Sequence, residues 1–166
     1  MSRHLKRNTQ LDLVSCDIHQ QALEFLEHEL GIRTLASSTV RESFSPSIAF
    51  DVVFALSFFS HLPKSSFGRW LRALFGAVKA PGNLIFTTHG LESHKLMGSP
   101  PFPADGFYFK PFSRQLDLNT AEYGNTIPTP AFVAAELFRQ TGVSNVTHTP
   151  AFWWGHQDLW IVKREQ

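Results

Sequence analysis

Ala49-Phe50-Asp51-Val52-Val53-Phe54-Ala55-Leu56-Ser57-Phe58-Phe59-Ser60-His61-Leu62-Pro63 is the stretch whose reading decides the fold. Its first half is a nearly continuous apolar run rich in Val and Phe, the composition of a strand buried on both faces. Its second half turns small and polar at Ser57, Ser60 and His61, and Pro63 stops any strand there. The reading is a central strand over Phe50 to Leu56, with Ser57 to His61 forming part of the floor of a site. In open α/β sheets, ligands sit beyond the carboxyl ends of the strands. A core strand followed by an ordinary loop fits the same residues.

Outward from that stretch, strands and helices alternate. Leu11 to Ser15, ending at Cys16-Asp17-Ile18, reads as a strand. Ala22, Phe25, Leu26 and Leu30 follow at helical spacing, and Gly31 closes that helix. Ile32 to Ala36 is another strand, ended by Ser37 and Ser38, and Arg41 to Ser47 reads as a loop or a poorly formed helix. Beyond Pro63, Phe67, Trp70, Leu71, Leu74, Phe75 and Val78 form one helical stripe, capped by Ser65 or Ser66 and ended by Ala80-Pro81-Gly82. Asn83 to Thr88 is the next strand, ending at His89-Gly90. This alternation argues for right-handed crossovers and a mostly parallel sheet.

The pattern lapses over residues 99–129, where five prolines and Phe102, Phe107, Tyr108, Phe109 and Phe112 make the segment too aromatic for a linker. It reads as an insertion packed on the domain, a candidate lid. Thr129-Pro130 then opens a helix through Gln140 that Gly142 ends. Val143 to Pro150 and Asp158 to Lys163 read as two final strands, with Phe152-Trp153-Trp154-Gly155 as the turn joining them.

Bulk properties narrow the class. A chain of 166 residues is one domain, 1–166, by the usual size relation and can bury roughly 70% of its unfolded surface. The net charge of +1 leaves no basic footprint for nucleic acid. The single cysteine, Cys16, excludes an internal disulfide and a Cys-rich zinc site. No apolar run is long enough for a membrane span, and the basic N-terminus lacks the apolar core of a secretory signal. The expectation is a soluble, cytoplasmic α/β domain.

Asp17 stands at the end of a strand in a βαβ unit, where a carboxylate can accept hydrogen bonds from two adjacent ribose hydroxyls; the same position suits a helix cap. His61, His89 and His156 each fall at a strand end or in a turn, as a general base or as a structural hydrogen-bonding group. No HExxH or CxxC spacing offers a metal site, no GxSxG marks a nucleophile, and no Gly-x-Gly marks a dinucleotide or triphosphate site.

Leu13-Val14-Ser15-Cys16-Asp17-Ile18, Phe50 through Ser57, and Pro81-Gly82-Asn83-Leu84-Ile85-Phe86-Thr87-Thr88-His89-Gly90 resemble, in this order, the class I S-adenosylmethionine-dependent methyltransferases. Within them the chain is most similar to the small-molecule methyltransferase domains of types 11 and 12. His156-Gln157-Asp158-Leu159-Trp160, leading into an apolar strand, is similar to the same group. The resemblance implies a doubly wound, Rossmann-like, mostly parallel sheet with an antiparallel last strand, S-adenosyl-L-methionine as cofactor and methyl transfer to a small molecule. It implies that Asp17 and Ile18 meet the cofactor ribose, that Ser37 and Ser38 meet the adenine, and that Leu56, Ser57 and Phe58 lie under the methionine moiety and the substrate, with His61 further on; among the strand-end histidines, His61 and His89 are the catalytic candidates.

The family's first strand and its glycine-rich turn precede the strand that ends in the ribose-binding acid. Here only Ser2 to Asn8 precedes it, read as the end of the intervening helix. Three alternatives follow: a fragment of a longer chain, a strand supplied by another chain, or a non-catalytic scaffold that has lost the cofactor. Strands left without their neighbour expose backbone groups costing about 1–3 kcal/mol each if buried, so self-association through open sheet edges is expected.

Overall fold

The computed structural model describes residues 1–38, 44, 46–112 and 119–166. These fall into two compact units, Met1–Pro46 and Ser47–Gln166, and each is described by itself. Most of Arg41 to Ser47 lies outside the described residues.

The first unit opens on helix α1 (Ser2–Asn8) and strand β1 (Val14–Asp17), followed by helix α2 (Gln20–Leu30) and strand β2 (Arg33–Ala36). The strands pair in parallel, Val14 opposite Arg33 and Asp17 opposite Ala36. Both strands therefore end at the same edge, and Ser37 N donates to Asp17 O at 2.8 Å to continue the pairing by one step. Helix α2 stops at Gly31, whose φ of 57° is the left-handed conformation that only glycine adopts without steric cost. Its buried residue is Leu23, while Phe25, expected on the inner stripe, is exposed. The apolar positions spread too far around the helix for spacing alone to choose the face.

The second unit is built on a four-stranded sheet of order β3-β4-β8-β7. Its members are β3 (Phe50–Ala55), β4 (Val78–His89), β8 (Gln157–Arg164) and β7 (Val146–Trp153). Strand β4 runs parallel to β3, and β8 runs antiparallel to β4, the antiparallel last strand that the sequence led one to expect. The Phe50 strand does form, but it is not buried on both faces: it ends the four-stranded sheet and Val52 is 51% exposed. Leu56 already belongs to the turn that follows.

Helix α3 (Lys64–Gly76) buries Phe67, Trp70, Leu71 and Leu74. Its N-cap is Pro63 rather than Ser65 or Ser66, and no side chain caps it. The helix also ends earlier than Ala80-Pro81-Gly82. Val78 pairs opposite Phe50 and so starts β4; Lys79 to Pro81 then bulge from the ladder, which resumes with Gly82 opposite Arg164 and Asn83 opposite Val52. Phe59, fully buried, packs against Phe67 at 5.0 Å and Phe86 at 4.8 Å between ring centroids. These rings, with Leu84 and Val162, form the core beneath the sheet; each contributes about 1.5–3 kcal/mol of hydrophobic burial.

The segment 99–129 contributes two antiparallel strands, β5 (Phe107–Lys110) and β6 (Asn125–Pro128), after the short helix α4 (Leu91–Leu96). Thr126 and Ile127 are fully buried. Strand β6 is laced to the turn after β3: Gly124 N donates to His61 O and Thr126 N to Ser60 O, each at 2.8 Å. Helix α5 (Pro130–Thr141) begins as expected, with Thr129 Oγ1 accepting from Phe132 N at 3.3 Å, and ends at Gly142. The turn joining β7 to β8 is tighter than expected. Phe152 and Trp153 belong to β7, which leaves Trp154 and Gly155, both at positive φ, at the bend. Among the described residues, no helix is long and apolar enough to cross a membrane.

Candidate functional site

The candidate residues gather at two strand-end edges, one in each unit. In the first unit, the parallel register sets Asp17 and Ile18 beside Ser37 and Ser38. Asp17 does not serve as the N-cap of α2, a position held by His19. Its Oδ1 accepts from His19 N at 3.0 Å, which fixes the carboxylate at the strand end. Oδ2 has no partner among the described residues. A half-buried carboxylate with one oxygen anchored and the other open is what a vicinal diol needs as acceptor. The neighbouring Cys16 is exposed, and desolvation at the strand end raises its thiol pKa, with the Ser37 hydroxyl opposing in part.

In the second unit, Leu56, Ser57 and Phe58 form the turn leaving β3. Ser57 sits at φ 56°, a left-handed conformation that costs a non-glycine residue about 1–2 kcal/mol. Three contacts hold it there. Ser57 N donates to Thr87 Oγ1 at 2.8 Å, and the Ser57 hydroxyl meets the Gln157 amide at 2.9–3.0 Å. Thr87 Oγ1 in turn donates to Gln157 Oε1 at 2.8 Å. Thr87 and Gln157 are buried, so the network is rigid and its loss would leave unpaired polar groups inside. Phe58 turns its ring edge-on to Trp70 at 5.1 Å, so its side chain serves packing while its backbone shapes the turn.

His61 and His89 come together at this edge, with ring centroids 6.3 Å apart, and His156 joins them 6.2 Å from His89. Antiparallel register explains the meeting, since His89 lies opposite Gln157. His61 Nδ1 lies 2.8 Å from Gly124 O and His89 Nδ1 lies 3.0 Å from Thr126 O. A carbonyl only accepts, so both rings carry their proton on Nδ1 and leave Nε2 as a bare acceptor. Gly124, just before β6, and Thr126 within it are two residues apart in extended chain, so this one segment orients both rings. Burial lowers both pKa values, that of His89 to about 4, where the His61 and His156 imidazoles add to the effect. Both rings are neutral at pH 7.

The sequence reading missed two parts of this site. Tyr123 stacks on His61 at 4.5 Å, and the Thr87–Gln157 pair clamps Ser57. Neither carries a motif; only strand register could have found them. Among the described residues, no group of three or more His, Cys, Asp or Glu side chains is placed to hold a metal ion.

No family model and no curated protein matches this chain, but solved structures do. It is similar to an O-methyltransferase family protein from Burkholderia thailandensis, at 21% identity and a TM-score of 0.67 over 99% of this chain and 47% of that one. It is similar to an S-adenosylmethionine-dependent methyltransferase from Clostridium acetobutylicum, at 12% identity and a TM-score of 0.62 over 98% of this chain and 78% of that one. A third likeness is to the 1,6-didemethyltoxoflavin-N1-methyltransferase of Burkholderia thailandensis, solved with S-adenosylhomocysteine, at 13% identity and a TM-score of 0.57 over 92% of this chain and 61% of that one. The chain thus spans about half the length of the first of these proteins. The element order, the parallel pairs closed by an antiparallel last strand, and these likenesses give one conclusion: the chain has the fold of the class I S-adenosylmethionine-dependent methyltransferases.

Proposed function

We propose that this chain, alone or as part of a longer protein, takes part in methyl transfer from S-adenosyl-L-methionine to a small-molecule acceptor. The observation that carries the reading is Asp17, anchored at the end of β1 by His19 N with one carboxylate oxygen open, in a fold whose solved neighbours include proteins crystallised with that cofactor or its demethylated product. Asp17 would hold the ribose hydroxyls, Ile18 would flank the sugar, and Ser37 and Ser38 would border the adenine. Leu56, Ser57 and Phe58 would shape the turn for the methionine part. When bound, the cofactor supplies a methyl group on a sulfonium, which needs a positioned nucleophile rather than strong acid–base chemistry.

The chain's own contribution is to hold and deprotonate that nucleophile. His61 is the proposed base: its Nδ1 is committed to Gly124 O at 2.8 Å, which leaves Nε2 to take the proton. His89 would serve as a neutral acceptor that orients the acceptor's proton.

Calorimetric titration of S-adenosylhomocysteine into the chain tests the reading. Binding that Asp17→Ala weakens by about tenfold or more is the expected result. A folded chain that takes up no S-adenosylhomocysteine, even when extended at its N-terminus, would instead favour a non-catalytic scaffold of the same fold.

A further inference from the structure

Helix α1 of the first unit buries none of its residues, and Ser15 Oγ ties it to β1 by donating to Ser2 Oγ at 3.0 Å. Arg3 and Arg7 stand four residues apart on it and so share a face, where like charges repel. No acid lies in the first turn of α1 to offset them. Neither guanidinium has a carboxylate partner among the described residues.

That basic face borders a groove of about 610 Å³ between α1 and α2, and the two walls differ in chemistry. Arg3, His4 and Arg7 line one side; Phe25, Leu26 and Leu30 line the other. Leu26 and Leu30 are half-buried and Phe25 is 47% exposed, so the apolar wall stands partly in water. The Arg3 guanidinium lies 6.0 Å from the centre of the Phe25 ring, which sets the charge at the rim of that wall. No carboxylate among the described residues lines the groove. Of the acids on α2, Glu24 accepts from Gln20 Nε2 at 3.1 Å and Glu27 accepts from the Thr34 hydroxyl, while Glu29 stands outside the lining.

We propose that the groove between α1 and α2 binds a medium-chain carboxylate, with Arg3 and Arg7 sharing the carboxylate and Phe25, Leu26 and Leu30 covering the alkyl chain. Unneutralised cations on one wall and uncovered hydrocarbon on the other select an anion with an apolar tail. A shared carboxylate relieves the repulsion between the two guanidiniums, whose paired N–H donors match its two oxygens. The volume lies in the range of small-molecule sites. From Phe25 to Leu30 the apolar wall runs only about 7.5 Å along α2, at 1.5 Å per residue. A docked partner helix needs anchors over two turns or more, so the occupant is a small molecule. The groove shares no residue with the Asp17 edge, and the proposal stands apart from the methyl-transfer reading.

Calorimetric titration of the full chain with octanoate, octanol, octylammonium and acetate separates the contributions of head and tail. Octanoate should bind about fivefold more tightly than octanol, with octylammonium and acetate weaker still, and added salt should shrink its advantage. Octanoate should also slow hydrogen exchange along α1. Arg3→Gln and Arg7→Gln, both at exposed positions, should erase the preference for octanoate over octanol, and Phe25→Ser should weaken both. Octanol or acetate binding as tightly as octanoate, an octanoate affinity that neither arginine substitution lowers, or no octanoate binding by the folded chain would each overturn the proposal.

Discussion

The edges of the two units are made from the same element, parallel strands running out into polar turns, yet they differ in how they are held. At the Asp17 edge of the first unit, the candidate groups lie within two short segments, Asp17-Ile18 and Ser37-Ser38, and two local bonds, from His19 N to Asp17 Oδ1 and from Ser37 N to Asp17 O, set the geometry. At the Ser57 edge of the second unit, residues from the turn after β3 and from β4, β6 and β8 converge, and side-chain bonds together with long-range backbone carbonyls hold a strained serine and orient the histidines. An edge held by local backbone tolerates change around it. An edge held by long-range contacts depends on its core.

The largest expected effect breaks the second edge from below. Phe59→Ala removes a fully buried ring that touches Phe67 and Phe86. It should cost about 3–5 kcal/mol of stability, read as a lower denaturant midpoint. The corresponding Phe25→Ala on α2, where the ring is exposed, should cost far less. If the two losses are equal, the contrast between the edges fails.

Acid should separate the edges next. His89 has a folded pKa of about 4 against an ordinary value of 6.5, so the unfolded chain binds its proton more readily. Stability is therefore full above pH 6.5 and falls as the pH drops toward 4, by on the order of 3 kcal/mol for this group. His89→Asn should flatten that slope in denaturant titrations between pH 7 and about 4; an unchanged slope would mean the ring is not buried as described.

Close approach gives a related test. A Cβ at Gly90 would lie 2.0 Å from Asp158 Oδ1, and that carboxylate is tied to His148 Nε2 and Ala151 N at 2.9 and 3.0 Å. Gly90→Ala should cost about 1–3 kcal/mol by overpacking. The smallest effect is expected away from both edges: Thr129→Ala, which removes the cap of α5, should cost about 1 kcal/mol.

The same contrast governs how much was legible in the sequence. Strand and helix order could be read, because alternating apolar runs and the closing glycines 31 and 142 are local signals. The Asp17 edge was legible for the same reason: an acid at a strand end is a local feature. The Ser57 edge was legible only as separate residues. His61 and His89 stood out individually, but Gln157, Tyr123 and the carbonyls of Gly124 and Thr126 reach them across tens of residues. The Phe50 strand was read as central because its composition is that of a buried strand, while its place at the end of the four-stranded sheet is set by pairing, which composition does not encode. Helix α3 ends before Ala80-Pro81-Gly82 for a similar reason: Val78 already pairs opposite Phe50, and the Pro81-Gly82 signal marks the register shift before Asn83 pairs opposite Val52.

Hydrogen exchange on the full chain, with and without S-adenosylhomocysteine, tests the central claim most directly. The account predicts slower exchange on ligand addition at the amides around Asp17, Ile18, Ser37 and Ser38 and at those of the turn from Leu56 to Phe58, with α5 unchanged. Binding heat without protection at the Asp17 edge, or protection confined to other surfaces, would contradict it.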